Sequence, residues 1–159
     1  MIDCQKSLSL GRPLRHIAII SSSSAAGWGD FRSHIQAARE QWPFLLQFYP
    51  ALMQGEGTTT SILSALREIA QSGIAYDCVV LIRGGGAEID LMAFDSYELC
   101  AAIARYPLPI IVGIGHERDT SVADRVAHHS LKTPTAVAEF LLNSREREWT
   151  LLRKLSERL

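Results

Sequence analysis

The chain has 159 residues, a length that suits one globular domain with or without an appendage, and 47% of them are hydrophobic. Its formal net charge of −1 excludes a protein that coats nucleic acid through a uniformly basic surface. Only three of the 16 basic residues are lysines. Arginine suits bidentate contacts with phosphate, but its use also follows genomic base composition, so both interpretations stay open.

The three cysteines form no C-x-x-C pair, and their odd number is typical of a reducing cytoplasm. Cys78 and Cys100 stand in apolar patterns, which predicts that both are small buried hydrophobic residues. No signal peptide or apolar run of membrane-spanning length is present in the sequence. We therefore expect a cytoplasmic protein.

Apolar runs of strand length alternate with helical patterns along the chain. The runs are nearly continuous in apolar residues, which indicates strands that are buried on both faces by helices. The sequence therefore predicts a doubly wound, mostly parallel α/β sheet of about four strands flanked by helices. We expect strands at 16–20, 44–53, 77–82 and 110–114, and helices at 31–42, 58–73 and 94–105.

Helix boundaries are suggested by local residue types. Pro43 is expected to stop the first helix, the hydroxyls of 58–61 to cap the second, and Gly73 to end it. Thr133 followed by Pro134 predicts the start of a long C-terminal helix with leucines at coiled-coil-like intervals.

These patterns divide the chain into three predicted parts. Residues 1–14 are a polar, patternless linker tail, and 15–133 form the α/β domain. Residues 134–159 extend from it as the start of a longer, truncated helical region.

Polar residues and glycines follow three of the predicted strands. Ligands of open α/β sheets bind beyond the carboxyl ends of the strands, so we expect these segments to build one site. The candidates are Ser21, Ser22 and Asp30 after the first strand, Arg83, Gly84, Gly85 and Gly86 after the third, and Gly115, His116, Glu117 and Asp119 after the fourth.

The chemistry of this set suits a phosphodiester. Consecutive glycines expose backbone N–H groups to an anion, and Arg83 is suited to neutralise phosphate oxygens. His116 is suited to proton transfer near neutral pH, with Asp119 or Asp30 orienting it or a water.

Structural alternatives stay open for each residue. Asp30 is also a natural helix N-cap, and the glycines also suit a flexible loop. His116 is also consistent with a surface or capping role, and acids such as Glu117 and Asp119 are favoured at a helix start. Residues 124–125 and 128–129 suggest a solvated helix face, and the adjacent histidines are weak evidence for a metal.

The ordered series of motifs resembles the large subunit of exodeoxyribonuclease VII over roughly residues 15–143. It departs from the family pattern at Ala87, at the displaced acid Glu88, and at Met92, where tryptophan is expected. The motifs that carry the resemblance are Arg83-Gly84-Gly85-Gly86, Asp90-Leu91, Phe94, Gly115-His116-Glu117-Arg118-Asp119, Ala123-Asp124 and Thr133-Pro134-Thr135 through Glu139.

The resemblance implies a cytoplasmic enzyme of DNA catabolism and repair that cuts single-stranded DNA into oligonucleotides. It implies a helical small-subunit partner bound through the C-terminal region, an N-terminal OB-fold and no strict metal requirement, although Mg²⁺ is compatible with it. By position it implies catalytic roles for Asp30, Arg83, His116 and Asp119. The alternative is a non-catalytic module of the same fold that binds a phosphate or nucleotide.

Overall fold

A computed structural model of the chain describes residues 2–10, 13–84, 91–114 and 120–159. Its described strands form one sheet in the order β2-β1-β3-β4-β5, and every pairing is parallel. The predicted fold class is confirmed, with one more strand than expected. The strands are β1 (His16–Ser21), β2 (Leu45–Pro50), β3 (Cys78–Ile82), β4 (Ile110–Gly113) and β5 (His129–Ser130).

Helices cover both faces of the sheet. One layer is built by the second, third and fourth helices, and the other by the first and fifth. Val79 and Leu81 of β3 pack into the first layer, and Cys78 and Val80 into the second, because side chains alternate across a strand. The helices are α1 (Ala26–Ala37), α2 (Thr58–Gln71), α3 (Tyr97–Arg105), α4 (Val122–Val126) and α5 (Pro134–Ser156), with a 3₁₀ turn at Met92–Asp95.

The strand order places a topological switch point between β1 and β3. From β1 the chain moves outward to β2, and it then returns past β1 to continue through β3, β4 and β5. In sheets of this order the connections leave β1 and β3 on opposite faces, and a crevice opens beyond their carboxyl ends. The fold thus marks the carboxyl edge at β1 and β3 as the expected ligand site.

One predicted helix start and one predicted cap are wrong, whereas the start of the second helix at Thr58 is confirmed. Helix α1 begins at Ala26 and ends at Ala37, so Asp30 lies inside the helix and is not its N-cap. Helix α2 is preceded by Gly57, which has a φ of 83° and takes the cap position without a side-chain hydrogen bond. This left-handed conformation favours glycine over the predicted hydroxyl residues. Gly73, with a φ of 70°, follows the end of α2 as predicted.

The long C-terminal helix begins as predicted. The Thr133 hydroxyl accepts a hydrogen bond from the Ala136 N–H at 3.0 Å, and Pro134 occupies the first turn. Val137 and Leu141 are fully buried in the core, whereas Trp149 further along is 59% exposed. The first turns of α5 therefore pack as part of the α/β layers, while the predicted three-part division of the chain stays a prediction.

The N-terminal residues contact the amino edge of the sheet. The buried Gln5 amide donates to the carbonyls of Tyr106 and Leu108, and its oxygen accepts from the Ile110 N–H at 2.8 Å. The His128 ring is 2.8 Å from the Leu8 carbonyl. These contacts hold the segment against the start of β4.

Within the described parts of the chain, no helix has the length and apolar character needed to cross a membrane.

Gly113 at the end of β4 permits α5 to pack closely on the sheet. A Cβ there would lie 2.6 Å from Cγ2 of Val137 and 3.2 Å from the Thr133 carbonyl. We expect Gly113→Ala to lower the free energy of unfolding by about 1–3 kcal/mol, measured by urea denaturation. Gly29→Ala is the control, because a Cβ in that helical position meets nothing within 4 Å and is expected to stabilise by up to about 1 kcal/mol.

The two adjacent histidines predict a pH-dependent stability. His129 is half-buried against Phe140, and burial, followed by the charge of His128, lowers its pKa from its ordinary value of 6.5. The unfolded chain therefore binds a proton at His129 more readily than the folded chain does. The neutral His129 ring contributes its full stability above about pH 6.5, and this contribution falls as the pH drops below that value. We expect His129→Gln to make the melting temperature depend less on pH between about pH 7 and pH 5. An unchanged slope in the variant would contradict this assignment.

Candidate active site

Three strand ends are tied together at the carboxyl edge of the sheet. β1, β3 and β4 are parallel neighbours, so their ends lie at the same edge. The Ser21 hydroxyl donates to the Ile82 carbonyl at 2.9 Å, which joins the ends of β1 and β3. The Arg83 N–H donates to the Gly113 carbonyl at 3.1 Å, which joins the end of β3 to that of β4.

The first turn of α1 and the segment after β3 meet through two glycines. A Cβ on Gly27 would lie 2.6 Å from the Gly84 nitrogen and 2.7 Å from Cγ of Pro134. A Cβ on Gly84 would overlap the backbone of Gly27. Only glycine permits this approach, so the first turn of α1, the Arg83–Gly84 segment and the start of α5 converge.

Arg83 is a buried cation at this edge. It follows β3 directly, and only 9% of the residue is exposed. A charge beside low-dielectric protein acts more strongly on a nearby anion than a solvated charge does. The position suits the predicted contact with phosphate, and that role stays a prediction.

The two serines predicted to contact phosphate differ in their surroundings. Ser21 is completely buried, and its hydroxyl donates a hydrogen bond to the Ile82 carbonyl. Ser22 is half-buried, with its hydroxyl 3.1 Å from that of Ser24. Of the pair, Ser22 is the more accessible to a ligand.

Asp30 lies on the exposed side of α1, one turn beyond Gly27. The neighbouring Phe31 is fully buried and fixes the orientation of the helix. The carboxylate is therefore carried by the helix that forms one wall of the carboxyl edge.

The remaining predicted site residues lie outside the described residues: Gly85, Gly86, Gly115, His116, Glu117 and Asp119. The described residues that flank them are Gly84 and Leu91 on one segment, and the buried Ile114 and exposed Thr120 on the other.

A buried carboxylate network next to this edge was missed by the sequence analysis. Asp124 is only 7% exposed, so its predicted place on a solvated helix face is wrong. It accepts from both the N–H and the hydroxyl of Ser121, in a capping box, and from the Ser130 hydroxyl at 2.7 Å. The network fixes the start of α4 against β5. The spacing of Ser121 and Asp124 was the available sequence signal.

The histidine pair was predicted to face solvent, and this prediction is also wrong. His128 and His129 are half-buried and stack with ring centroids 4.8 Å apart, whereas Arg125 is exposed as expected. The His128 ring lies beside the Leu8 carbonyl, and His129, the first residue of β5, packs against Phe140 of α5.

Neither buried cysteine is suited to act as a nucleophile. Cys78 and Cys100 are buried as predicted, and Cys4 is exposed. Burial, with a smaller contribution from the charge of Asp95, raises the pKa of Cys100 to about 11, so its thiolate is scarce at neutral pH.

Potential metal ligands are scattered in the described parts of the chain. Among those residues, no group of three histidine, cysteine, aspartate or glutamate side chains is placed to hold a metal ion.

The parallel sheet, with a switch point between β1 and β3, places the chain among the doubly wound α/β domains. Domains of this class bind ligands beyond the carboxyl ends of their strands, and here the glycine contact and the buried Arg83 lie at that position. The chain belongs to the exonuclease VII large-subunit family, because the family profile described as "Exonuclease VII, large subunit" matches residues 1–159. The resemblance drawn from the motifs is thereby confirmed.

Curated relatives support the same assignment. The exodeoxyribonuclease 7 large subunit of Synechococcus sp. (strain CC9311) is 36% identical over 92% of this chain and 37% of that protein. The same subunit of Nostoc sp. (strain PCC 7120) is 37% identical over 91% of this chain and 34% of that protein. That of Parasynechococcus marenigrum is 35% identical over 100% of this chain and 41% of that protein. The chain thus spans well under half the length of these relatives.

Among solved structures, the lysine decarboxylase LdcF of Francisella novicida matches with a TM-score of 0.41 and 11% identity, over 86% of this chain and 17% of that one. A likeness at this level carries no functional argument.

The Gly27–Gly84 contact predicts non-additive stability changes. We expect Gly27→Ala and Gly84→Ala each to lower the free energy of unfolding by at least about 2 kcal/mol, because each forces two backbones apart. The double variant is expected to cost less than the two single changes together, since one displacement accommodates both methyl groups. A double-mutant cycle in urea measures this, and strict additivity would argue against the contact.

Proposed function

We propose that the chain hydrolyses phosphodiester bonds in single-stranded DNA, as part of an exonuclease VII large subunit that releases oligonucleotides in the cytoplasm. The observation that carries the proposal is the convergence of the Arg83–Gly84 segment with the first turn of α1 at the switch point. The family membership supports the same activity.

In this proposal Arg83 and the backbone N–H groups of the glycine loop bind the scissile phosphate. Negative charge builds on the phosphate oxygens in the transition state, and a preorganised cation stabilises that charge more than it stabilises the ground state. The burial of Arg83 strengthens the interaction because less water screens it.

Proton transfer is assigned to His116, which is suited to act as general acid or base near neutral pH. Asp119 and Asp30 orient the imidazole or the attacking water, and Gly115 and Glu117 contribute to binding of the phosphate or the DNA. The exposed position of Asp30 on α1 is compatible with contact to a ligand at the carboxyl edge. The reaction as proposed needs no metal, although Mg²⁺ is compatible with an anionic substrate.

The proposed partners are single-stranded DNA, a small helical subunit and an N-terminal OB-fold domain. The far part of α5 supports a helical partner, because Trp149, Leu152 and Leu155 are at least half exposed there. Apolar side chains at helical spacing on a surface favour packing against a second helix.

A non-catalytic module that binds a phosphate or nucleotide is the less favoured alternative, because the curated relatives carry the name of a nuclease. The two functions differ in whether a labelled single strand is shortened.

We expect Arg83→Ala to reduce the cleavage rate of labelled single-stranded DNA by about 10²–10³-fold and His116→Ala by about 10²–10⁴-fold, because each removes a group that acts in the transition state. Cleavage is measured by gel electrophoresis, with and without a chelator, in the intact subunit with its partner.

Arg105→Ala is the matched control, because this exposed arginine ends α3 at the opposite edge of the sheet. Its activity is expected to equal that of the unmodified protein, and circular dichroism checks that all variants fold. Unmodified rates in both the Arg83 and the His116 variant would refute the assigned site.

A further inference from the structure

An aromatic groove lies between α1 and the edge strand β2, on the face of the sheet that α1 and α5 cover. It encloses about 420 Å³. Among the described strands, β2 pairs only with β1, so the groove follows an open edge of the sheet. The residues that line it include Trp28, Arg32, Arg39, Trp42, Phe44 and Phe48.

The aromatic rings of the groove are partly accessible. Trp28, Trp42, Phe44 and Phe48 are all half-buried. Trp28, Phe44 and Phe48 pack against the core, and the Trp42 ring meets that of Trp149 on α5 edge-on, with centroids 6.4 Å apart. Trp28 packs on Phe48 with ring centroids 4.6 Å apart and an interplanar angle of 31°. This packing holds the rings in place before any ligand binds. Rigid, half-exposed rings are the surfaces on which unpaired bases stack.

The charge of the groove favours an anion. Its lining includes Arg32 and Arg39 but no aspartate or glutamate. Both arginines are exposed, and neither forms a salt bridge with any residue that the structure describes. Asp30 and Glu40 belong to the same stretch of chain but do not line the groove. A local pair of cations stands out in a chain whose net charge is −1.

The groove adjoins the candidate active site. Trp28 follows Gly27, the residue whose backbone meets Gly84 next to Arg83. From Trp28 the lining continues along α1 to Trp42, beyond the helix end. A DNA strand that leaves the carboxyl edge of the sheet can therefore continue directly into the groove.

We infer that this groove binds single-stranded DNA next to the cleaved bond, with bases stacked on the aromatic rings and phosphates paired with Arg32 and Arg39. The inference rests on the proposed nuclease function and adds a substrate-binding surface to it. It requires unpaired bases, since a duplex keeps its base faces covered. This requirement distinguishes the groove from a merely basic surface.

The test measures the binding of short oligothymidylate to the full chain by tryptophan fluorescence, over a range of salt concentrations. We expect the double variant Arg32→Gln/Arg39→Gln to bind on the order of tenfold more weakly. The slope of log K against log salt should become shallower by about 1.4, because each phosphate contact to a single strand contributes about 0.7. Arg67→Gln is the matched control, as an exposed arginine of α2 on the opposite face of the sheet.

Trp42→Leu tests stacking separately from charge. We expect it to weaken binding on the order of tenfold while leaving the salt slope unchanged, because it removes a ring but no cation. Photo-crosslinking of an oligonucleotide that carries bromodeoxyuridine should label peptides that contain Trp28, Trp42 or Phe44. Crosslinks confined to other peptides would show that the strand runs elsewhere.

The outcomes separate this inference from the proposed function. If the intact subunit cleaves single strands but the double arginine variant matches Arg67→Gln in affinity and salt slope, the groove is not the binding surface and the nuclease proposal stands. If the unmodified protein neither binds nor cleaves single strands, both proposals fail. Equal affinity for an oligothymidylate and a duplex of the same length would overturn the stacking assignment.

Discussion

The close approach of Gly27 and Gly84 is the contact on which the proposed site depends. Without side chains at these positions, the first turn of α1 reaches the backbone that follows β3, and Pro134 completes the contact from α5. The buried Arg83 is held one residue away, with its N–H bound to the end of β4. Because two backbones are involved, neither can yield as a flexible side chain would. Main-chain packing between Gly27 and Gly84 therefore determines where the polar residues of the proposed site lie.

The features that depend on local periodicity could be predicted from the sequence. The continuous apolar runs led to the parallel sheet, and Thr133 with Pro134 led to the start of α5. The ends of β1, β3 and β4 could likewise be predicted to within one residue, which is why Arg83 was expected at the carboxyl edge. Residues buried by distant partners could not be. β5 has only two residues and carries no periodicity of its own, and it joins the sheet through its pairing with β4.

Polar side chains were harder to place than apolar ones. Asp124 looks like a surface residue in the sequence, yet it is buried because Ser121 and Ser130 supply hydrogen bonds that replace water. Gln5 lies in a segment without a pattern, but its amide satisfies three backbone groups at the amino edge. In both cases the partner is set by the tertiary fold. The aromatic groove was missed for the same reason, since Trp28 and Phe48 come from separate elements.

Helix α5 is one continuous helix whose start is buried in the core and whose last turns are exposed. Its start is fixed in the core by Val137 and Leu141, and its 23 residues extend over about 34 Å. Glu148 lies 3.5 Å from Arg15, and the Trp149 ring meets that of Trp42 at a centroid distance of 6.4 Å, so the helix is held to the domain beyond its buried end as well as at that end. That end carries Pro134, which touches Gly27. A helix anchored at these points keeps Pro134 against Gly27, and so keeps the backbone beside Arg83 in place.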